Sequence, residues 1–188
     1  MNLESKIKGG LWGLLVGDAL GVPYEFKKPG EIPPQAQIEM TPPANFARTY
    51  ASILPGTWSD DGAQALALLD SLLDCGELNA QDLMERFAAW YENGRYAVDN
   101  HVFDCGITTG RAIGDFLNGT PPEMCGPRDE NSNGNGALMR VLPLALWHKG
   151  DDETLIQMAL VQSQITHGHL RSGLCCALLC LWARELLA

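Results

Sequence analysis

The sequence predicts an all-α fold, a single compact multi-helix domain. Apolar residues recur at helical spacing in nearly every segment. Capping residues and glycine or proline stops punctuate those segments, and no alternating run bounded by turns competes with them. The 188 residues match one domain and suffice to bury a real core.

The first helix is expected over Leu3 to Val22, with Ile7, Leu11, Leu14, Leu15 and Ala19 on one face. Gly10, Gly13, Gly17 and Gly21 form a second stripe. Each mid-helix glycine costs about 1 kcal/mol relative to alanine, so another backbone is expected to pack close there. Pro23 ends this helix, and a proline-rich stretch from Pro29 to Pro55 reads as a long loop. Ser59 caps a second helix, Asp60 to Asp74, with Leu66, Leu69 and Leu73 inward and Gly76 as its stop. Asn79 caps a third, with Leu83, Phe87, Trp90 and Tyr91 inward and Gly94 at its end. A short helix is expected over Ile107 to Leu117, then a Gly-, Pro- and Asn-rich loop from Gly119 to Asn135. A helix from about Gly136 to His148 should be kinked by Pro143. Asp151 or Asp152 caps the next, to about Ile165. The last, Leu170 to Leu187, is apolar on nearly all sides, the pattern of a central helix.

The chain carries 23 acidic and 13 basic side chains, a net charge of -10. That balance excludes a general nucleic-acid or anionic-membrane surface, both of which need clustered Lys and Arg. The longest apolar stretch is broken by Arg184 and Glu185, and the N-terminus lacks a signal-peptide layout, so a cytoplasmic protein is expected. The six cysteines show no paired metal spacing; Cys175, Cys176 and Cys180 read as small core residues.

Polar clusters interrupt this scaffold. Asp18 falls inside an apolar helical pattern, where a carboxylate needs a partner, a metal or a proton. It serves equally as a cap or hydrogen-bonding residue, and Glu25 beyond the helix end as a solvated loop charge. Ser59, Asp60 and Asp61 offer three hard oxygen ligands suited to Mg²⁺, and equally an N-cap with an acidic first turn. Ser132-Asn133-Gly134-Asn135-Gly136 brings backbone N–H groups toward a ligand before a helix start, or makes a plain turn. Asp104, Thr108 and Thr109 cluster at a helix opening, where Asp104 could also cap. His167 and His169 sit at a helix junction, placed for a ligand or for local satisfaction.

Taken in order, GDALGVPYE, GTWSDDGAQAL, FDCGITTGRAI, SNGNGALMRVLPLAL and ITHGH resemble the ADP-ribosylglycohydrolase family, from about Gly9 to the end of the chain. The resemblance implies an all-helical hydrolase that removes ADP-ribose from modified proteins or small acceptors at a binuclear Mg²⁺, sometimes Mn²⁺, centre. It implies that Ser59, Asp60 and Asp61 bind metal, with Ser59 standing where the family often has Thr. Glu25 and Asp61 are then the catalytic carboxylates, and Asp104 lies toward the acceptor. Thr108, Thr109, Ser132, Asn133, Gly134, Asn135, Gly136 and His167 line the ADP-ribose site.

The family's Asp-x-Asp-Thr block, which supplies further metal ligands, does not occur in these 188 residues. The chain therefore reads as C-terminally incomplete or completed by a partner. On its own it is expected to show negligible hydrolysis, and its apolar last helix is expected to drive self-association. The rival expectation is a non-catalytic relative, an ADP-ribose binder or a crystallin-like structural protein.

Overall fold

The computed structural model describes residues 2–187. Among them are eight α-helices and several short 3₁₀ turns, and no strand. No helix is long and apolar enough to cross a membrane.

Helix α1 spans Leu3–Gly21 and starts at Asn2, whose side chain accepts from the Ser5 N–H. Its glycine stripe does not meet another backbone: a Cβ at Gly13, Gly17 or Gly21 would find open space, and one at Gly10 would meet only the Leu146 side chain. Three of the four glycines face outward, so the expected close packing is absent. The segment between Pro29 and Pro55 is a loop with two 3₁₀ turns, as its composition predicts.

Helix α2 spans Asp60–Cys75, capped by Ser59 and stopped by Gly76 at φ 70°. It lies centrally, against α1, against α3 (Ala80–Asn93) and against α6 (Leu142–Trp147). Its buried stripe is Ala63, Ala67, Leu68 and Leu72, not the predicted Leu66, Leu69 and Leu73. Leu73 is exposed, while Leu66 and Leu69 face α1 across a small apolar cleft of about 260 Å³. A helix with neighbours on several sides has no single inward row, which is why the leucine spacing misleads.

Helix α3 keeps its predicted Asn79 and Gly94 caps and buries Leu83, Phe87 and Trp90, while Tyr91 stays exposed. Arg86 pins α3 to α2: its guanidinium pairs with Asp70, with Asp74 at 2.8 Å and with Asp82 at 2.6 Å. Helix α4 (Ile107–Leu117) has the predicted limits, and the one-turn α5 (Pro122–Cys125) interrupts the loop after it. No helix runs from Gly136: turns lead to α6, and Pro143 sits in its first turn. There the missing N–H costs nothing, so the proline starts the helix rather than kinking it.

Helix α7 (Asp152–Gln164) is capped by Asp151, and α8 (Leu170–Leu187) packs against α7 and α6. α8 is not central. It buries a stripe of small residues, Ser172, Gly173, Cys176, Ala177, Cys180 and Ala183. Leu174, Leu178, Trp182 and Leu186 are exposed on the opposite side, and Cys175 is exposed rather than in the core. The cysteines are all free. An end of this helix at Ala188 lies outside the described residues.

Candidate active site

The site is built first from Asp18, one turn before the end of α1. Its carboxylate accepts from the Ser59 N–H at 2.9 Å, the Ser59 hydroxyl at 2.8 Å and the Gly62 N–H at 2.7 Å. These are free donors of the α2 N-terminus, satisfied here by a neighbouring helix. Ser59 also accepts from the Asp61 N–H at 3.4 Å as its own helix's cap. Asp60 and Asp61 are thereby fixed in the first turn of α2. Burial raises the Asp18 pKa, and the Ser59 and Gly62 hydrogen bonds oppose that rise.

Glu25 follows the 3₁₀ turn Val22–Tyr24. Its carbonyl accepts from the Thr49 hydroxyl at 2.5 Å, and Tyr24 bonds to the backbone of Glu39 through both its donor and acceptor capacity. The long loop thus clamps the segment that carries Glu25. Asp104 sits before α4 with φ at 56°, a left-handed conformation uncommon outside glycine. It does not cap α4, whose first turn has no side-chain cap.

Glu25, Asp60, Asp61 and Asp104 line one cavity of about 440 Å³. Thr108 and Thr109 of α4 and the Gly134, Asn135 and Gly136 loop form its other wall. Nine of the residues singled out in sequence therefore meet in one place. Ser59, Ser132, Asn133 and His167 stand just behind it. Ser59 is buried under Asp18. The Ser132 hydroxyl donates to Asp129 at 2.7 Å, and Asn133 accepts from the Ser172 hydroxyl at 3.1 Å, so both pin the loop from outside. His167 is buried against the loop: a Cβ on Gly136 would fall 2.7 Å from its Cε1, so only glycine fits there.

The acidic wall is electrostatically frustrated. Glu25 is pushed up to about 8, first by burial and then by the Asp104, Asp61 and Asp18 carboxyls. Asp60 is also raised to about 8, by burial and by Asp61, Asp104 and Asp18. Asp61 rises to about 6 through burial and Asp18, with the Ser59 hydroxyl opposing. Glu25 Oε2 is buried without a hydrogen-bond partner. Such a wall favours either protons or a cation.

Several participants were not singled out as site residues in sequence. Phe26, Ile107 and Met139 line the cavity, and Tyr50 stands beside Asp104 with its pKa raised by burial and that carboxyl. Phe26, with φ at 58°, packs edge-on to Tyr50, which packs in turn on Phe103. Arg140, fully buried behind the site, forms hydrogen bonds to Gln64, Gln162 and Thr166.

A family model described as ADP-ribosylglycohydrolase matches residues 1–188. The chain belongs to the ADP-ribosylglycohydrolase family. It is 35% identical over 178 residues to the ADP-ribosyl-[dinitrogen reductase] glycohydrolase of Rhodospirillum rubrum, covering 93% of this chain and 55% of that protein. It is 28% identical over 162 residues to the ADP-ribosylarginine hydrolase Tri1 of Serratia proteamaculans, covering 86% of this chain and 42% of that one. A solved structure titled ADP-ribosylglycohydrolase-related protein complex superposes with a TM-score of 0.77 at 31% identity, over 99% of this chain and 57% of that one. The chain thus spans about half the length of the relatives it matches. The all-helical architecture is that of the family.

Carboxylates and a hydroxyl are the donor set a hard cation prefers. Asp60, Asp61 and the unpartnered Glu25 oxygen fit Mg²⁺ chemically, since a cation would relieve the repulsion among them. Among the described residues no three His, Cys, Asp or Glu groups are arranged to close round one ion.

Proposed function

We propose that the chain forms the ADP-ribose-binding, carboxylate-bearing part of a hydrolase that cleaves the glycosidic bond between ADP-ribose and a modified protein or small acceptor. The observation that carries this reading is the single cavity walled by Glu25, Asp60, Asp61 and Asp104 on one side and by the glycine loop and Thr108–Thr109 on the other.

The division of labour follows from the chemistry of the walls. Backbone N–H groups of Gly134 to Gly136 suit a diphosphate, and the threonine hydroxyls suit sugar oxygens. Cleavage develops positive charge at the anomeric carbon, and the carboxylates of the opposite wall stabilise it. Glu25, whose pKa burial and the Asp104, Asp61 and Asp18 carboxyls raise in the metal-free site, would protonate the departing acceptor atom and then take a proton from water. Asp61 orients that water, and Asp104 meets the acceptor. Asp60 and Asp61 would hold Mg²⁺, or Mn²⁺ in its place, two ions in the complete site, while Ser59, buried under Asp18, fixes the turn that carries them. When bound, the metal supplies positive charge to the ribose oxygens and a more acidic water.

The Serratia relative's name makes an arginine-linked ADP-ribose the first substrate to try. Calorimetry tests the reading. ADP-ribose in Mg²⁺ buffer should bind one per chain, and Asp61→Asn should weaken it. Absence of ADP-ribose binding to the folded chain contradicts the proposal.

A further inference from the structure

Arg140 is the one fully buried guanidinium among the described residues, and its bonds all go to neutral groups. Nε and Nη2 reach Gln162 Oε1 at 3.2 Å and the Gln162 carbonyl at 3.0 Å. Nη1 donates to Gln64 Oε1 at 2.8 Å, and Nη2 also donates to Thr166 Oγ1 at 2.7 Å. The Phe87 ring covers one face at 4.5 Å.

A guanidinium can only donate, so the Thr166 hydroxyl accepts from Arg140. The hydroxyl's own proton needs a different acceptor, because Thr166 is fully buried. His167 Nδ1 lies 2.9 Å away and provides it. A proton on Nδ1 would instead leave the threonine hydrogen stranded. Hydrogen-bond accounting therefore puts the imidazole proton on Nε2. That atom lies on the ring edge facing the glycine loop, 3.2 Å from where a Cβ on Gly136 would stand and 3.7 Å from one on Gly134.

We propose that Arg140, acting through Thr166, locks His167 in its neutral Nε2–H tautomer, making it a one-way donor beneath the Gly134–Gly136 loop. The ligand such a donor serves is an oxygen-rich anion seated on that loop; that it is the diphosphate of ADP-ribose rests on the function proposed above. Burial and the Arg140 charge hold His167 near a pKa of about 4, so the ring stays neutral at physiological pH. Arg140 and Thr166 are positioning residues, since neither lines the cavity.

Long-range ¹H–¹⁵N spectra of the imidazoles at pH 7 test the lock, with His167 assigned by its disappearance in His167→Gln. The wild-type chain should show an unprotonated Nδ1 and a protonated Nε2. Thr166→Val should mix the tautomers and weaken ADP-ribose binding by at least about tenfold, and Thr166→Ser should restore both. A wild-type Nδ1–H signal, or a Thr166→Val spectrum still purely Nε2–H, overturns the proposal. If the wild-type chain shows the expected tautomer but binds no ADP-ribose, the functional reading fails while the lock stands.

Discussion

The Asp18 carboxylate of α1 holds Ser59, the cap of α2, twice, through its backbone N–H at 2.9 Å and its hydroxyl at 2.8 Å. This contact aims the acidic first turn of α2 into the cavity. Asp18→Ala strands the buried donors of Ser59 and Gly62. It should cost about 1–3 kcal/mol in denaturant unfolding and weaken ADP-ribose binding as well. Unchanged stability would show that water replaces the carboxylate freely.

Asp60→Ala should leave the metal-free fold intact or raise its melting temperature, because it removes a buried, repelled carboxyl. The first-turn carboxylate contributes only roughly 0.3–1 kcal/mol to its helix. Mg²⁺ should raise the melting temperature of the wild type and not of Asp60→Ala. In any form that turns over, the same substitution should abolish Mg²⁺-dependent hydrolysis. Equal Mg²⁺ responses in a thermal-shift assay would remove Asp60 from the ligand set.

The pH dependence of stability reads out His167. Its folded pKa is depressed to about 4 by burial and the Arg140 charge, against an ordinary 6.5. The unfolded chain therefore takes up this proton first as pH falls. The residue's contribution is fully present above pH 6.5 and is lost on descent toward 4, reaching about 3 kcal/mol in all. His167→Gln should remove that component from the stability-against-pH curve, measured by urea unfolding. Parallel curves for the two proteins would contradict the assignment.

Arg86→Met should destabilise the α2–α3 pair by about 1–3 kcal/mol, less than a wholly buried network because Asp70, Asp74 and Asp82 stay partly in water. ADP-ribose affinity of the folded protein should not change, since Arg86 does not reach the cavity. A calorimetric titration of the variant checks both halves.

The exposed α8 residues Leu174, Leu178, Trp182 and Leu186 should make the chain self-associate at micromolar concentration. Each large apolar side chain covered gains roughly 1.5–3 kcal/mol. Leu178→Lys with Trp182→Glu should shift sedimentation toward the monomer, and a wild-type monomer would refute the packing argument.

The helix limits set by local chemistry were legible in sequence: the Ser59, Asn79 and Asp151 caps and the Gly76 and Gly94 stops all stand where predicted. So was much of the cavity's lining: Asp60 with Asp61, Asp104 with Thr108 and Thr109, and the glycine loop are each local clusters, whereas Phe26, Ile107 and Met139 were not singled out. What failed depends mostly on neighbours outside each helix. The face of α8 is set by α6 and α7, the stripe of α2 by helices on several sides, and the role of Pro143 by turns that precede it. Asp18 was conspicuous, but its partner Ser59 lies 41 residues away. Arg140 lies in the SNGNGALMRVLPLAL block but was not singled out, because its acceptors, the Gln64, Gln162 and Thr166 side chains and the Gln162 carbonyl, are neutral groups gathered from α2 and from α7 and its C-terminal end.

In the proposed function one cavity holds ADP-ribose between the acidic wall and the glycine loop. The most direct measurement is a crystal structure of the chain soaked with ADP-ribose and Mg²⁺. The diphosphate should lie against Gly134 to Gly136 and the terminal ribose between Glu25 and Asp61. Ligand density elsewhere, or the reverse orientation with the adenine against the carboxylates, would contradict it.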